Sequence, residues 1–311
     1  MLGLGYDGEL FILAFDHRGS FVKTFFGIEG QPSSEETQRI ADAKSVVYEG
    51  FLRALDRGVL KGSAGVLVDE QFGAGVAQKA KGQEQILAMP VEKSGQDEFD
   101  FEYGEDFGSH IETFDPTFSK VLVRYNPEGD GALNARQAAK LKELSEWLHR
   151  HDRKFLFELL VPAEQHQLET VGGDAGRFDK ELRPHLMRLA IAQLQESGIE
   201  PDIWKIEGID ATEDCEQIAR QCQMAGRDNV ACVVLGRGAD ANAVDTWLRA
   251  ASGVPGYRGF AIGRSIWWDA LKGFVDGTMG RDAAAQQIAA NYTRFIDVYK
   301  GREPSAPAPT S

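Results

Sequence analysis

A lysine set in the middle of an apolar run is the residue best placed for chemistry in this chain: Asp202-Ile203-Trp204-Lys205-Ile206-Glu207-Gly208. Lysine is almost never fully buried unless it is paired or functional. The two-residue period of an extended chain puts Ile203, Lys205 and Glu207 on one face and Trp204 and Ile206 on the other. Burial and nearby cations depress a lysine pKa, to about 7–8 in catalytic cases, and so free a neutral amine to attack a carbonyl. Cations are on offer in the run 120–125, where Lys120, Leu122 and Arg124 share a face. Glu158 follows Phe155-Leu156-Phe157, and a carboxyl there has a raised pKa unless it is paired, which suits proton transfer. A purely structural partnership of Glu158 with Lys120 fits the same pattern. Asp16, after the run 9–15, adds a second carboxylate.

Two further clusters suit an anion. Gly236-Arg237-Gly238 and Gly263-Arg264 end the last two apolar runs, and 265–271 reads as a short extra helix. Glycines let backbone N–H groups approach a phosphate, an arginine can clamp it with two bonds, and a helix N-terminus favours negative charge.

The elements that must position these residues follow one pattern. Apolar runs at 9–15, 65–70, 85–91, 120–125, 154–160, 202–208, 231–238 and 258–264 are mostly continuous rather than alternating, as in parallel strands buried on both faces. Amphipathic stretches at 35–57, 134–151, 179–198, 212–226 and 240–251 lie between them. Eight strands alternating with helices predict an α/β fold, a single (β/α)8 TIM barrel over 1–301, with active-site groups at the C-terminal ends of the strands. Nearly every run ends in charge or glycine, including Asp16-His17-Arg18 and Asp69-Glu70, so these ends are expected to converge on one mouth. The third strand is the least secure, because Pro90 lies in it and no clear helix follows. The acidic, aromatic segment 92–118 reads as a lid or an irregular excursion. The Pro- and Ala-rich end, 302–311, is expected to be disordered.

Composition narrows the partners. Among 311 residues, 34 Lys and Arg face 48 Asp and Glu, a net charge of −14, which argues against nucleic acid or an anionic membrane. Nothing approaches an 18-residue apolar span, and the N-terminal run carries Asp7 and Glu9 and no basic start, so it reads as fold rather than signal peptide. Cys215, Cys222 and Cys232 read as small buried residues in a reducing cytoplasm. Gly3-Leu4-Gly5-Tyr6-Asp7-Gly8 has dinucleotide-motif spacing but precedes its strand, the wrong context for that chemistry. Among the six histidines only His17 ends a strand, so no metal is expected. No cofactor is expected either, and a homo-oligomer is left open.

LAFDHRGSF, LVDEQFG, VEKSGQ, KVLVRYNPEGD, FELLVPAE, LRPHLM, EPDIWKIEGI, VVLGRG and GFAIGRSIWW resemble the 2-deoxy-5-keto-D-gluconate 6-phosphate aldolase family, from about residue 9 to residue 299. That domain is often fused to a sugar kinase, which this sequence lacks. More distantly the chain resembles class I tagatose-bisphosphate and sulfofructose-phosphate aldolases. The resemblance implies cleavage of a 5-keto sugar-acid phosphate to dihydroxyacetone phosphate and malonate semialdehyde, in inositol catabolism. It makes Lys205 the Schiff-base lysine, with Lys120, Glu158 and Asp16 beside it. Glu158, or else Asp16, would be the base. Gly236, Arg237, Gly238, Gly263 and Arg264 would hold the phosphate, Glu207 would stand at the mouth, and Arg18 or Arg124 would hold the carboxylate. An aldolase for another ketose phosphate and a sugar-phosphate sensor are the rival expectations.

Overall fold

The computed structural model describes residues 3–302. The tail expected at 302–311 therefore lies, Arg302 apart, outside the described residues. Eight strands, β1 (Leu10–Ala14), β2 (Ala64–Leu67), β3 (Ile86–Pro90), β4 (Phe118–Arg124), β5 (Lys154–Leu160), β6 (Ile203–Glu207), β7 (Ala231–Leu235) and β8 (Tyr257–Ile262), pair in sequence order. All pairs are parallel, and β1 closes on β8. The fold is a (β/α)8 TIM barrel.

Parallel neighbours need a crossover, and helices supply it. They are α1 (Ser34–Asp56), α2 (Glu70–Gly82), α3 (Phe107–Phe114), α4 (Gly131–Arg150), α5 (Gln165–Thr170), α6 (Ala175–Arg177), α7 (Arg183–Glu196), α8 (Thr212–Cys222), α9 (Ala241–Ala251), α10 (Arg264–Val275) and α11 (Arg281–Tyr299). Ser33 and Glu36 form a capping box that starts α1. The extra helix expected after the last strand is α10, which continues to Val275.

The doubtful third strand is real, and Pro90 is its last residue, where a missing N–H costs the sheet little. The next amide, Val91, donates to the Lys120 carbonyl at 2.8 Å. The segment 92–118 divides in two. Its first part folds back, with an antiparallel bridge between Glu92 and Phe101. Its second part holds α3, the crossover helix to β4, with Phe107, Ile111 and Phe114 buried, and Phe99 and Phe101 of the first part are buried too.

Alternation along the strands sorts two cores. Leu10, Ile12, Ala14, Leu67, Ala88, Phe118, Leu156, Ile203, Ala231, Val233 and Ala261 fill the barrel interior. The other parity packs outward against the helices, as with Phe11, Leu13, Phe157, Trp204 and Phe260. Inward parity continued toward the strand ends carries Asp16, Lys120, Glu158, Lys205 and Glu207 to the mouth. All three cysteines are buried and free. Among the described residues no helix is long and apolar enough to cross a membrane.

Candidate functional site

The barrel mouth opens on a cavity of about 620 Å³ lined by Asp16, Lys120, Glu158 and Lys205, among others. Glu158 on β5 and Lys205 on β6 are register partners, and both point inward. The Lys205 ammonium donates to Glu158 Oε2 at 2.9 Å, with the lysine only 3% exposed. Lys120 starts one inward step lower on β4, opposite Leu156, and its long side chain climbs to the same carboxylate. Its Nζ lies 3.1 Å from Glu158 Oε2, 2.9 Å from Asp16 Oδ2 and 2.9 Å from Glu92 Oε1. Lysines from two strands therefore share one glutamate oxygen, and Lys120 is enclosed by three carboxylates.

These contacts decide the charges. Burial alone would raise the Glu158 carboxyl, but Lys120 and then Lys205 outweigh it and hold Glu158 below its ordinary value. The raised carboxyl expected from an unpaired position is replaced by an ionised one, because the position is paired twice. Asp16 is likewise held well down, burial being overcome by Lys120, His17 and Lys205. Lys120 is pushed up, since its three carboxylates more than offset its desolvation. His17 is lowered to about 4, first by burial and then by the cations Lys44, Arg264 and Lys205 against Asp16, so it is neutral at physiological pH.

The rim after β7 and β8, next to the Lys205 strand, offers groups that suit an anion. Gly263 precedes α10, no side chain caps that helix, and Gly236–Gly238 line the same cavity as Gly263 and Arg264. Helix α9 differs, because Asp240 caps it by accepting from Asn242 and Ala243. The Arg264 guanidinium donates to the Arg237 carbonyl at 3.1 Å, and Ser265 ties the same loop through Ala239. Gly238 has φ +70, and a Cβ there would sit 2.6 Å from Arg264 Cζ, so only glycine lets the arginine lie along the loop.

The remaining expected residues have protein partners. Glu207 lines the cavity but accepts from the Val161 amide at 2.8 Å and faces Arg183 and Arg237, each at 3.1 Å. Arg237 also reaches Asp179 at 2.8 Å. Arg18 is buried and donates to the Glu92 carbonyl and to Glu102 Oε2, both at 2.8 Å. Arg124 is more open, with one bond to the Gln96 carbonyl at 3.0 Å and Asp97 at 4.0 Å. The Asp69-Glu70 strand end does not join the mouth. Asp69 caps α2 and pairs with buried Lys44, which also donates to the carbonyls of Phe15 and His17 on either side of Asp16. Glu70 instead meets His110. Among the described residues no three His, Cys, Asp or Glu side chains converge as a metal site requires.

Glu92, Glu102, Arg183 and Lys44 are the network members that residue type and spacing did not single out. For Glu92 a signal existed: positions 86, 88, 90 and 92 continue the inward parity of β3 beyond Pro90. The glycine after β6 also had a reason that sequence did not show. A Cβ on Gly208 would fall 1.9 Å from Trp247, whose indole packs across that turn and donates to Asp210.

Comparison with solved structures returns the same barrel. The crystal structure of Cgl0159 from Corynebacterium glutamicum is similar at 18% identity, covering 93% of this chain and 87% of that one, with a TM-score of 0.56. A fructose-bisphosphate aldolase of Plasmodium falciparum, in complex with TRAP and a small-molecule inhibitor, is similar at 13% identity over 96% and 93%, with a TM-score of 0.64. A Schiff-base-forming fructose-1,6-bisphosphate aldolase is similar at 14% identity over 91% and 93%, with a TM-score of 0.53. At these identities the likeness is one of fold. No curated protein matches the chain in sequence. Residues 6–303 match the model of one protein family, and the chain belongs to it: the family described as "Uncharacterized protein conserved in bacteria (DUF2090)".

Proposed function

We propose that this chain is a class I aldolase in which Lys205 forms a Schiff base with a ketose phosphate. The observation that carries the reading is a lysine 3% exposed on β6, bound at 2.9 Å to Glu158 and facing a cavity with an uncapped helix N-terminus on its rim. Two of the similar structures are named as fructose-bisphosphate aldolases, one of them Schiff-base-forming, which supports the same chemistry.

The substrate phosphate binds at Gly236, Gly238, Gly263 and Arg264, which places the neighbouring ketone over Lys205. Glu158 takes a proton from the ammonium, and the free amine attacks the carbonyl; loss of water leaves the iminium. Glu158, ionised again after giving its proton to the departing water, removes the proton of the hydroxyl on the far carbon of the bond to be cleaved. That bond then breaks, its electron pair moves into the iminium to give an enamine, and an aldehyde leaves. The enamine carbon is protonated, and water hydrolyses the imine to release dihydroxyacetone phosphate. Lys120 favours the ionised forms of Glu158 and Asp16, so that Glu158 returns to a carboxylate after each proton transfer.

The substrate that best fits the family resemblance is 2-deoxy-5-keto-D-gluconate 6-phosphate, with malonate semialdehyde as the second product. Arg124 suits its carboxylate better than Arg18, because Arg18 is spent on Glu92 and Glu102. The test is to incubate with dihydroxyacetone phosphate, reduce with borohydride and map the adduct. A covalent mass on the peptide containing Lys205 is expected, and its absence overturns the reading. Cleavage of ketose phosphates with and without a carboxylate then separates this substrate from tagatose- or sulfofructose-type ones.

A further inference from the structure

Glu92 is a buried carboxylate with an unequal share of partners. Its Oε1 accepts from Lys120 at 2.9 Å and lies 3.3 Å from Arg18. Its Oε2 is shut off from solvent and has no hydrogen-bond partner among the described residues. A buried ionised oxygen without a donor costs far more than a neutral carboxyl in the same place. The charges around it lead to the same point. Three cations, Arg18, Lys120 and Lys205, face four carboxylates, Asp16, Glu92, Glu102 and Glu158, so one negative charge has no counterpart. Glu158 holds two lysines and Asp16 has Lys120 beside it, while Arg18 gives its shorter bonds to the Glu92 carbonyl and to Glu102.

We propose that Glu92 works as a neutral carboxylic acid, a positioning residue that orients Lys120 through Oε1 while leaving its positive charge to Asp16 and Glu158. The groups that face it are Lys120 from β4, Asp16 at the end of β1, and Arg18 with Glu102 behind it. Burial raises the Glu92 carboxyl against the pull of Lys120 and Arg18, and the negative charge of Asp16 raises it further. The catalytic consequence rests on the aldolase reading. Ionisation of Glu92 would draw Lys120 from Glu158 and add a negative charge facing an anionic substrate.

Infrared spectra of the whole chain test the charge state without reference to activity. A protonated-carboxyl C=O stretch is expected at neutral pH, shifted by ¹³C-glutamate labelling, retained in E207Q and lost in E92Q. A wild-type spectrum without such a glutamate band overturns the proposal. Kinetics test the consequence: E92Q, the isostere of the neutral form, should lower kcat/KM by less than about 100-fold and by less than E92A does, and should flatten the fall of the profile as pH rises. A loss beyond about 100-fold in a folded E92Q overturns the positioning role and makes Glu92 a proton-transfer group instead. If wild type forms no borohydride-trapped adduct at Lys205, the aldolase reading fails while the infrared result still decides the state of Glu92.

Discussion

Glu158 and Lys205 are register partners on adjacent strands, both directed into the barrel, with the lysine Nζ 2.9 Å from the glutamate Oε2. The sheet itself sets this relationship, because neighbouring inward positions at one level of a parallel barrel must face the same lumen. Lys120 then adds its charge to the same oxygen from the far side. The proposed nucleophile and the group proposed to take its proton are therefore held by backbone pairing rather than by a loop.

Removing either partner should separate bond formation from proton transfer. K205M should give no trapped adduct and no measurable cleavage. E158Q should lower kcat by about 10²–10⁴-fold and slow the trapping at Lys205. Glu158 is held below its ordinary value, so the base is ionised above that lowered pKa and is lost as pH falls through it. The acid limb of the wild-type kcat profile should accordingly lie below the usual glutamate range.

The phosphate rim predicts a different kinetic signature. R264Q should raise KM about tenfold or more with a smaller change in kcat, since the bond it removes is made in the ground state as well. G238A should act in the same direction. Its φ of +70 costs an L-residue about 1–2 kcal/mol, and its Cβ would press on Arg264. Unchanged KM in both variants would move the phosphate elsewhere.

Lys44 and Asp69 are a buried pair beneath the mouth, and Lys44 also holds the two carbonyls that flank Asp16. K44M leaves Asp69 buried without its cation, which should cost about 3–5 kcal/mol in urea unfolding. The double variant K44M/D69N should recover part of that loss, whereas additive losses would show that the pair is not coupled.

His17 makes stability depend on pH in a known direction. It titrates at about 4 when folded against 6.5 as a free side chain, burial being the main cause. Above 6.5 both states are neutral and the group has no effect. As pH falls from 6.5 to about 4 the unfolded chain binds a proton that the folded chain does not, and stability drops. Compared with wild type, H17Q should show a shallower fall in unfolding free energy across that window. An identical slope would mean that His17 is protonated in the folded state.

What the sequence by itself determined was mostly local and periodic. Continuous apolar runs separated by amphipathic stretches specify a parallel barrel, since such runs must be buried on both faces and need helical crossovers. The two-residue period puts Lys205 with Glu207, and Lys120 with Arg124, on shared faces, and the barrel makes those faces inward. The same rule applied past Pro90 would have reached Glu92, but a proline at the strand end and an acidic stretch after it concealed that parity. Tertiary structure decided which charge pairs with which. Lys120 meets Asp16 from 104 residues away and Glu92 from 28, and no local pattern encodes a choice among carboxylates that far apart. That choice turned Arg18 and Glu207 toward protein partners, sent Asp69 to Lys44, and left Arg264 beside an uncapped helix. Periodicity reports only which way a side chain leaves its own strand, whereas its partner and its protonation depend on what the other seven strands bring to the same mouth.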